Sequence, residues 1–149
     1  MYTMLPKSGG RAFIAKAVPS MLILLVSAML FVCVYGHLRC HMGFRDPLSP
    51  KLDIGDLDGW SVSHLFLFTL VGYMFPGREL AAIAFLCGVL WELVEHLLGK
   101  SRPSWLGGWG GCEAAEFERE NANWWFGRHS DIIVNGAGLL LGNSMRRVL

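Results

Sequence analysis

The chain has 149 residues, enough for one domain but not for two of ordinary size. Hydrophobic residues make up 53% of it and charged residues only 17%, which is unusual for a soluble domain and typical of a membrane protein. The formal net charge of +1 provides no basic excess for binding nucleic acid. We therefore expect one integral membrane domain over residues 1–149.

The first predicted membrane span covers residues 17–38, which contain no Asp, Glu, Lys or Arg. As a helix this run would extend about 33 Å, enough to cross the apolar core of a bilayer. Lys7, Arg11 and Lys16 precede it, so a cleaved signal peptide is the alternative. The run is longer than the apolar part of such a peptide and ends without a clean small-residue cleavage site, which favours a retained span.

Three further spans are predicted after a loop rich in proline, glycine and aspartate. They cover residues 60–75, 80–98 and 129–145, and the PGRE turn at 76–79 separates the first two. The stretch 99–128 carries a glycine run, alternating charges and four tryptophans, which suits the lipid headgroup region better than the bilayer core. The predicted fold is all-α: a membrane-embedded bundle of about four transmembrane helices, with a long Gly/Trp-rich loop before the last.

Basic residues gather at the two ends of the chain. Lys7, Arg11 and Lys16 precede the first span, and Arg146 and Arg147 follow the last. Since basic residues are enriched on the cytoplasmic side of membrane proteins, we expect a multi-pass protein with both termini in the cytoplasm.

The cysteines carry little functional signal. The four of them form no CxxC pair, and two lie in apolar segments, so we interpret them mostly as small apolar residues. Cys40 stands between His37 and His41, which leaves a metal site open, although interfacial histidines at the end of a span are the simpler explanation.

Polar side chains inside the predicted spans are the strongest functional signal. An ionisable residue at the centre of a membrane helix costs about 2.5–3.5 kcal/mol, so a cation, shared protons or a water-filled cleft must offset it. Glu92 and Glu95 are three apart and share a helix face, as do Asp131 and Asn135, which are four apart. His64 lies one turn into the second span, three residues after Ser61. Small residues on these faces, Gly88, Gly138 and Gly142, favour close helix contacts.

We expect these polar faces to turn inward and form one site. Carboxylate and amide oxygens suit hard divalent cations, so Glu92, Glu95 and Asp131 are predicted to hold Ca²⁺, or Mg²⁺ or Mn²⁺. His64 would act as a general base or acid. A di-iron site is the alternative, but its ExxH pattern is absent because Glu92 and His96 are four apart. The predicted catalytic residues are His64, Glu92, Glu95, Asp131 and Asn135.

Four motifs resemble the membrane core of the eukaryotic phosphatidylserine synthases that work by base exchange. They are SHLF at 63–66, WELVE at 91–95, NWWF at 123–126 and DIIVNGAGLLLG at 131–142. The looser order of His, ExxE, Asp and Asn-Gly is also similar to VanZ-like proteins and to small bacterial membrane families, whose four-span length is closer to this chain. The resemblance implies functional roles for the same five residues. Two positions depart from the synthases: Phe126 replaces an acidic residue, and Asp131 and Asn135 are four residues apart rather than five.

The expected function is transfer of a phospholipid or lipid-linked phosphate headgroup, of the phosphatidyl-transfer or base-exchange type, assisted by a divalent cation. Phe126 motivates a non-catalytic alternative, a lipid- or amphiphile-binding protein of VanZ-like type. A small accessory subunit, docked through the Trp-rich loop, is a third possibility. Membrane lipid is the expected partner, nucleic acid is not, and a homo-oligomer is left open.

Overall fold

A computed structural model describes residues 7–42, 46–48, 50–54, 57–101 and 127–148. These residues form four α-helices and no β-strand: α1 (Lys7–Met42), α2 (Gly59–Met74), α3 (Arg78–Ser101) and α4 (His129–Val148). The all-α prediction is therefore confirmed for the described part of the chain.

The helix bounds differ from the predicted spans mainly at their ends. α1 extends beyond 17–38 on both sides, with Pro19 inside it, and α3 continues into the predicted loop at 99–128. Gly77 has a φ of 122°, which glycine adopts readily, and it makes the turn from α2 to α3 possible. The rest of the predicted loop, residues 102–126, lies outside the described residues.

Two of the helices are long and apolar enough to cross a membrane, over Ala12–Leu38 and Arg78–Leu98. Only 17% and 22% of their most apolar windows are buried inside the protein, whereas the core helix of a soluble protein is mostly buried. Large apolar side chains are also exposed on all four helices, including Ile23, Phe66, Leu90 and Ile133. α2 has 16 residues and would extend about 24 Å, shorter than an ordinary span.

Helices α2 and α4 lie side by side in parallel, and glycines set their separation. A Cβ atom on Gly72 would lie 2.6 Å from the Leu139 carbonyl oxygen, and one on Gly138 would lie 2.8 Å from the Leu65 oxygen. A Cβ on Gly142 would meet the α2 backbone as well. The predicted small-residue contact surface on α4 is therefore confirmed, and it brings two helix backbones into direct contact.

Helix α3 runs antiparallel to α2 and α4, and α1 covers the bundle from outside. A Cβ on Gly88 of α3 would meet the Phe68 ring and the Asn135 amide, so the missing side chain lets α3 approach both neighbours. The core joins residues from all four helices: Ala17, Met21, Leu25, Phe68, Val71, Leu80, Ala84 and Leu139. As a result, the N-termini of α2 and α4 and the C-terminal half of α3 meet at one end of the bundle.

Asp46 ties the segment after α1 to this end of the bundle. Its carboxylate, only 2% exposed, accepts hydrogen bonds from Tyr35 Oη at 2.9 Å, Leu48 N at 2.9 Å and Trp60 Nε1 at 2.7 Å. A buried carboxylate needs such donors because it has left water. These bonds hold the start of α2 against the C-terminal part of α1.

Candidate functional site

The start of α2 is built by a reciprocal cap. Asp58 Oδ1 accepts from Ser61 N at 2.9 Å, while the Ser61 hydroxyl reaches back toward Asp58 N, so the two residues satisfy each other's backbone donors. The same hydroxyl donates to Asp131 Oδ1 on α4 at 2.6 Å. Asp58 Oδ2 forms an ion pair with Arg128 Nη1 at 2.8 Å. The cap thus joins the beginnings of α2 and α4.

One turn further along α2, His64 contacts both neighbouring helices. Its Nδ1 lies 2.9 Å from Asn135 Oδ1 on α4 and 3.6 Å from Glu92 Oε1 on α3. An amide oxygen only accepts hydrogen bonds, so this contact requires the tautomer of the neutral ring with its proton on Nδ1 and its lone pair on Nε2. The two neighbours therefore orient the ring and leave Nε2 as the basic nitrogen.

Glu92 is buried, with 3% of its surface exposed, and its two carboxylate oxygens differ in their surroundings. Oε2 accepts from Arg128 N at 2.9 Å, at the start of α4, where the helix dipole favours negative charge. Oε1 has no hydrogen-bond partner within the described part of the chain, and neither does Asn135 Nδ2. An unpaired buried oxygen costs about 1–3 kcal/mol, more if it is charged, so Glu92 Oε1 is well placed to bind a cation or a hydrogen-bond donor.

His64, Glu92 and Asp131 form the tightest cluster of potential metal ligands in the described residues. Each offers one ligand atom, and these atoms lie within 4.8 Å of one another. Metal–ligand bonds of about 2.0–2.6 Å place two ligands of one ion at most about 5 Å apart, so the spacing suits a single cation. Two carboxylates and an imidazole suit Zn²⁺ as well as the predicted Ca²⁺, Mg²⁺ or Mn²⁺.

The predicted metal set differs from this cluster in one member. Glu92 and Asp131 come together as expected, but the third nearby group is His64 and not Glu95. Glu95 hydrogen-bonds Trp91 and lines the neighbouring cavity. Residues three apart on a helix are rotated by about 60° from each other, which turns Glu95 from the triad into this cavity. All five predicted residues nevertheless lie in or beside one site.

A cavity of about 100 Å³ adjoins the cluster and receives side chains from all four helices. Its polar part includes four charged or ionisable groups besides His64, namely Asp58, Glu95, Arg128 and Asp131. Acidic side chains outnumber basic ones here, so carboxylate oxygens are available as ligands for a cation. The apolar part of the wall includes Leu25, Ala28, Met29, Val32, Leu67 and Phe68.

Asp58 is the functional residue that sequence reasoning missed. The pattern D-x-x-S immediately before an apolar run is a sequence signal for a helix start, and it could have placed Asp58 and Ser61 at the end of α2. His96 and His129 are exposed, and no contact brings them into the cluster within the described residues.

Several sequence interpretations fall outside what the structure describes. The NWWF motif with Phe126, and Cys112, lie among residues 102–126, and the Cys40 and His41 side chains are outside the description as well. Cys33 and Cys87 are free thiols in partly buried positions, in agreement with their interpretation as small apolar residues.

Comparison of the chain with protein-family models, with curated proteins and with solved structures finds no match. The resemblance to the base-exchange synthases and to VanZ-like proteins therefore stays a prediction from the motifs. The functional interpretation rests on the geometry of the cluster and its cavity.

Proposed function

We propose that this protein is a membrane-embedded enzyme that transfers a phospholipid or lipid-linked phosphate headgroup, with His64 as the proton-transferring residue. One observation carries the proposal: His64, Glu92 and Asp131, from three helices, lie within 4.8 Å of one another beside a cavity. Burial of these groups in an apolar bundle costs free energy, and ionisable residues that are kept in such a place usually belong to a functional site. The motifs that resemble the base-exchange synthases contain the same residues.

A divalent cation fits this site. Glu92 and Asp131 would hold it, since Glu92 Oε1 is buried without a hydrogen-bond partner in the described part and the surrounding charge is acidic. When bound, the cation supplies positive charge that stabilises the negative charge developing on a phosphate during transfer. Ca²⁺, Mg²⁺ and Mn²⁺ remain the candidate ions, because carboxylate oxygens suit them and His64 is then left free for proton transfer.

The proton follows a simple path. His64 Nε2 accepts the proton of an incoming alcohol as its oxygen bonds to phosphorus. The bond between phosphorus and the departing headgroup oxygen then breaks, and His64 returns the proton to that oxygen. Asn135 holds Nδ1–H at 2.9 Å, which keeps the ring in the tautomer that this path requires.

Arg128 is suited to binding the substrate phosphate. Its guanidinium lines the cavity and is held by Asp58 at 2.8 Å, and the N-termini of α2 and α4 lie beside it. Guanidinium groups and helix N-termini both favour phosphate oxygens. Arg128 would therefore orient the lipid phosphate next to His64.

The proposal includes a multi-pass topology with both termini in the cytoplasm. The α2–α3 turn and the end of α4 lie together, because Gly77 N donates to Asn143 Oδ1 at 3.0 Å. Arg78, Arg146 and Arg147 therefore occupy the end of the bundle opposite the polar site. Basic residues favour the cytoplasmic side, so the site would face the other compartment.

A headgroup-exchange assay on purified protein in lipid nanodiscs tests the proposal. Short alcohols such as serine, ethanolamine and glycerol serve as acceptors, with Ca²⁺, Mg²⁺, Mn²⁺ or Zn²⁺ added separately. Glu92→Gln and His64→Gln are expected to lose at least 100-fold of the exchange rate, because general acid–base catalysis alone contributes about 10²–10⁴-fold. Glu79→Gln and His96→Gln, which change exposed residues of α3, are the matched controls.

Cation binding gives a second readout that does not depend on turnover. Mn²⁺ binding, followed by electron paramagnetic resonance, should weaken in Glu92→Gln but not in Glu79→Gln. If no ion binds and no headgroup exchanges, the enzymatic proposal is wrong. Lipid that co-purifies stoichiometrically with a cation-free, inactive protein would instead support the non-catalytic lipid-binding alternative.

A further inference from the structure

We propose that the apolar groove between α1 and α2 binds one acyl chain of a membrane amphiphile, with the phosphate end at the polar site. The groove is the apolar part of the cavity, and its α1 wall consists of Leu25, Ala28, Met29 and Val32. This inference rests on the proposed function only for the position of the phosphate. Binding of the chain requires no catalysis.

The α1 wall is one continuous stripe. Its four residues follow the spacing i, i+3, i+4 and i+7, so they lie along a single face of the helix. From Leu25 to Val32 the stripe extends about 10 Å. Ser27, directly before Ala28 in sequence, is exposed on another face and does not line the cavity. α1 therefore presents a distinct apolar surface to the interior.

The opposite wall changes from polar to apolar along α2. His64 lies toward the polar end, where Asp58 and Arg128 also line the cavity, whereas Leu67 and Phe68 lie one turn deeper. The bundle thus offers charge at one end of the cavity and hydrocarbon at the other. A phosphate with one attached chain has the same distribution of charge and hydrocarbon.

A membrane lipid is the occupant that this environment favours. Helix α1, which supplies four residues of the wall, is one of the two helices that are long and apolar enough to cross a membrane. A chain that enters from the bilayer remains in hydrocarbon throughout, while its phosphate reaches Arg128 and the carboxylate cluster. A soluble phosphate would make no use of the apolar wall.

Binding of monomeric n-alkyl phosphates to the protein in amphipol tests this inference. Each added methylene should strengthen binding about fourfold until the chain reaches the deep end, since burial of one CH₂ is worth about 0.8 kcal/mol. Ala28→Trp fills the groove and should abolish this chain-length dependence. Ser27→Trp introduces the same side chain outside the groove and should bind as the unaltered protein does.

A second pair of variants covers the case in which Ala28→Trp does not fold. Val32→Phe narrows the same wall one turn further along, and Val34→Phe places the ring on an exposed face. The inference is wrong if affinity does not rise with chain length in the unaltered protein, or if the groove and control variants behave alike. Loss of headgroup exchange in Glu92→Gln with an intact chain-length dependence would support the groove independently of the enzymatic proposal.

Discussion

Gly138→Ala should destabilise the bundle although alanine is the better helix former. A Cβ at this position would lie 2.8 Å from Leu65 O and 3.0 Å from Phe68 Cβ and Thr69 N. Two of these atoms belong to the α2 backbone and cannot rotate away. Ordinary contacts begin near 3.4 Å, so α2 and α4 must separate by about 0.6 Å.

The expected size of the effect follows from two opposing terms. Overpacking of a tight contact costs about 1–3 kcal/mol, whereas replacing a helical glycine by alanine gains about 1 kcal/mol. Gly136→Ala on the same helix receives the same gain, but its Cβ would meet only the Phe85 ring at an ordinary 3.5 Å. The free energy of unfolding of Gly138→Ala should therefore be about 1–3 kcal/mol below that of Gly136→Ala.

Reversible unfolding in mixed micelles, with SDS as the denaturant, measures this difference. Both variants change a glycine of α4 to alanine, so each is compared with the same unaltered protein. Separation of the two helices should also weaken the 2.6 Å bond between Ser61 and Asp131, and with it the cation binding that we propose. If Gly138→Ala is as stable as Gly136→Ala, the direct backbone contact between α2 and α4 does not exist in the membrane.

Two further predictions concern the polar contacts at the start of α2 and α4. Ser61→Ala removes both the hydrogen bond to the Asp131 carboxylate and the cap bond from Asp58 N, and it should lower the free energy of unfolding by about 1.5–3 kcal/mol. Ser63→Ala removes a hydroxyl that bonds the Trp60 carbonyl of its own helix and should cost less; equal losses would contradict the assigned contacts. Arg128→Gln leaves the buried Asp58 carboxylate without its ion-pair partner and should lower the free energy of unfolding by about 3 kcal/mol. The control Arg147→Gln changes an exposed residue and should change this free energy by less than about 1 kcal/mol. Thermal unfolding in detergent compares the two variants, and similar unfolding midpoints would argue against a buried ion pair.

The elements themselves could be predicted because they depend on local sequence. Long apolar runs indicate helices, and Pro76 and Gly77 indicate that a helix ends between two of these runs. The ends were less predictable: α1 continues beyond its apolar run into Lys7 and Met42, where no strong breaker intervenes. An apolar run indicates which part of a helix suits a bilayer. It does not indicate at which residue the backbone hydrogen bonds of the helix end.

The candidate site was predictable as a set of residues but not as a set of contacts. His64, Glu92, Asp131 and Asn135 were recognisable because polar side chains are expensive within apolar runs. Their pairing was not, since helical spacing shows which residues share a face but not which neighbour that face meets. For this reason the sequence predicts Glu95 as the third member of the metal-ligand cluster, whereas the structure places His64 there.

By itself, the amino-acid sequence determined that this chain forms apolar helices and that a few of them carry buried charge, since both properties follow from residues close together in the chain. Only the tertiary structure decided that α2 and α4 run in parallel at glycine contact distance, and that Ser61 and Asp131 meet there, as do Asp58 and Arg128. Those polar contacts join residues 70 positions apart, whose proximity depends on how whole helices pack and not on any local pattern.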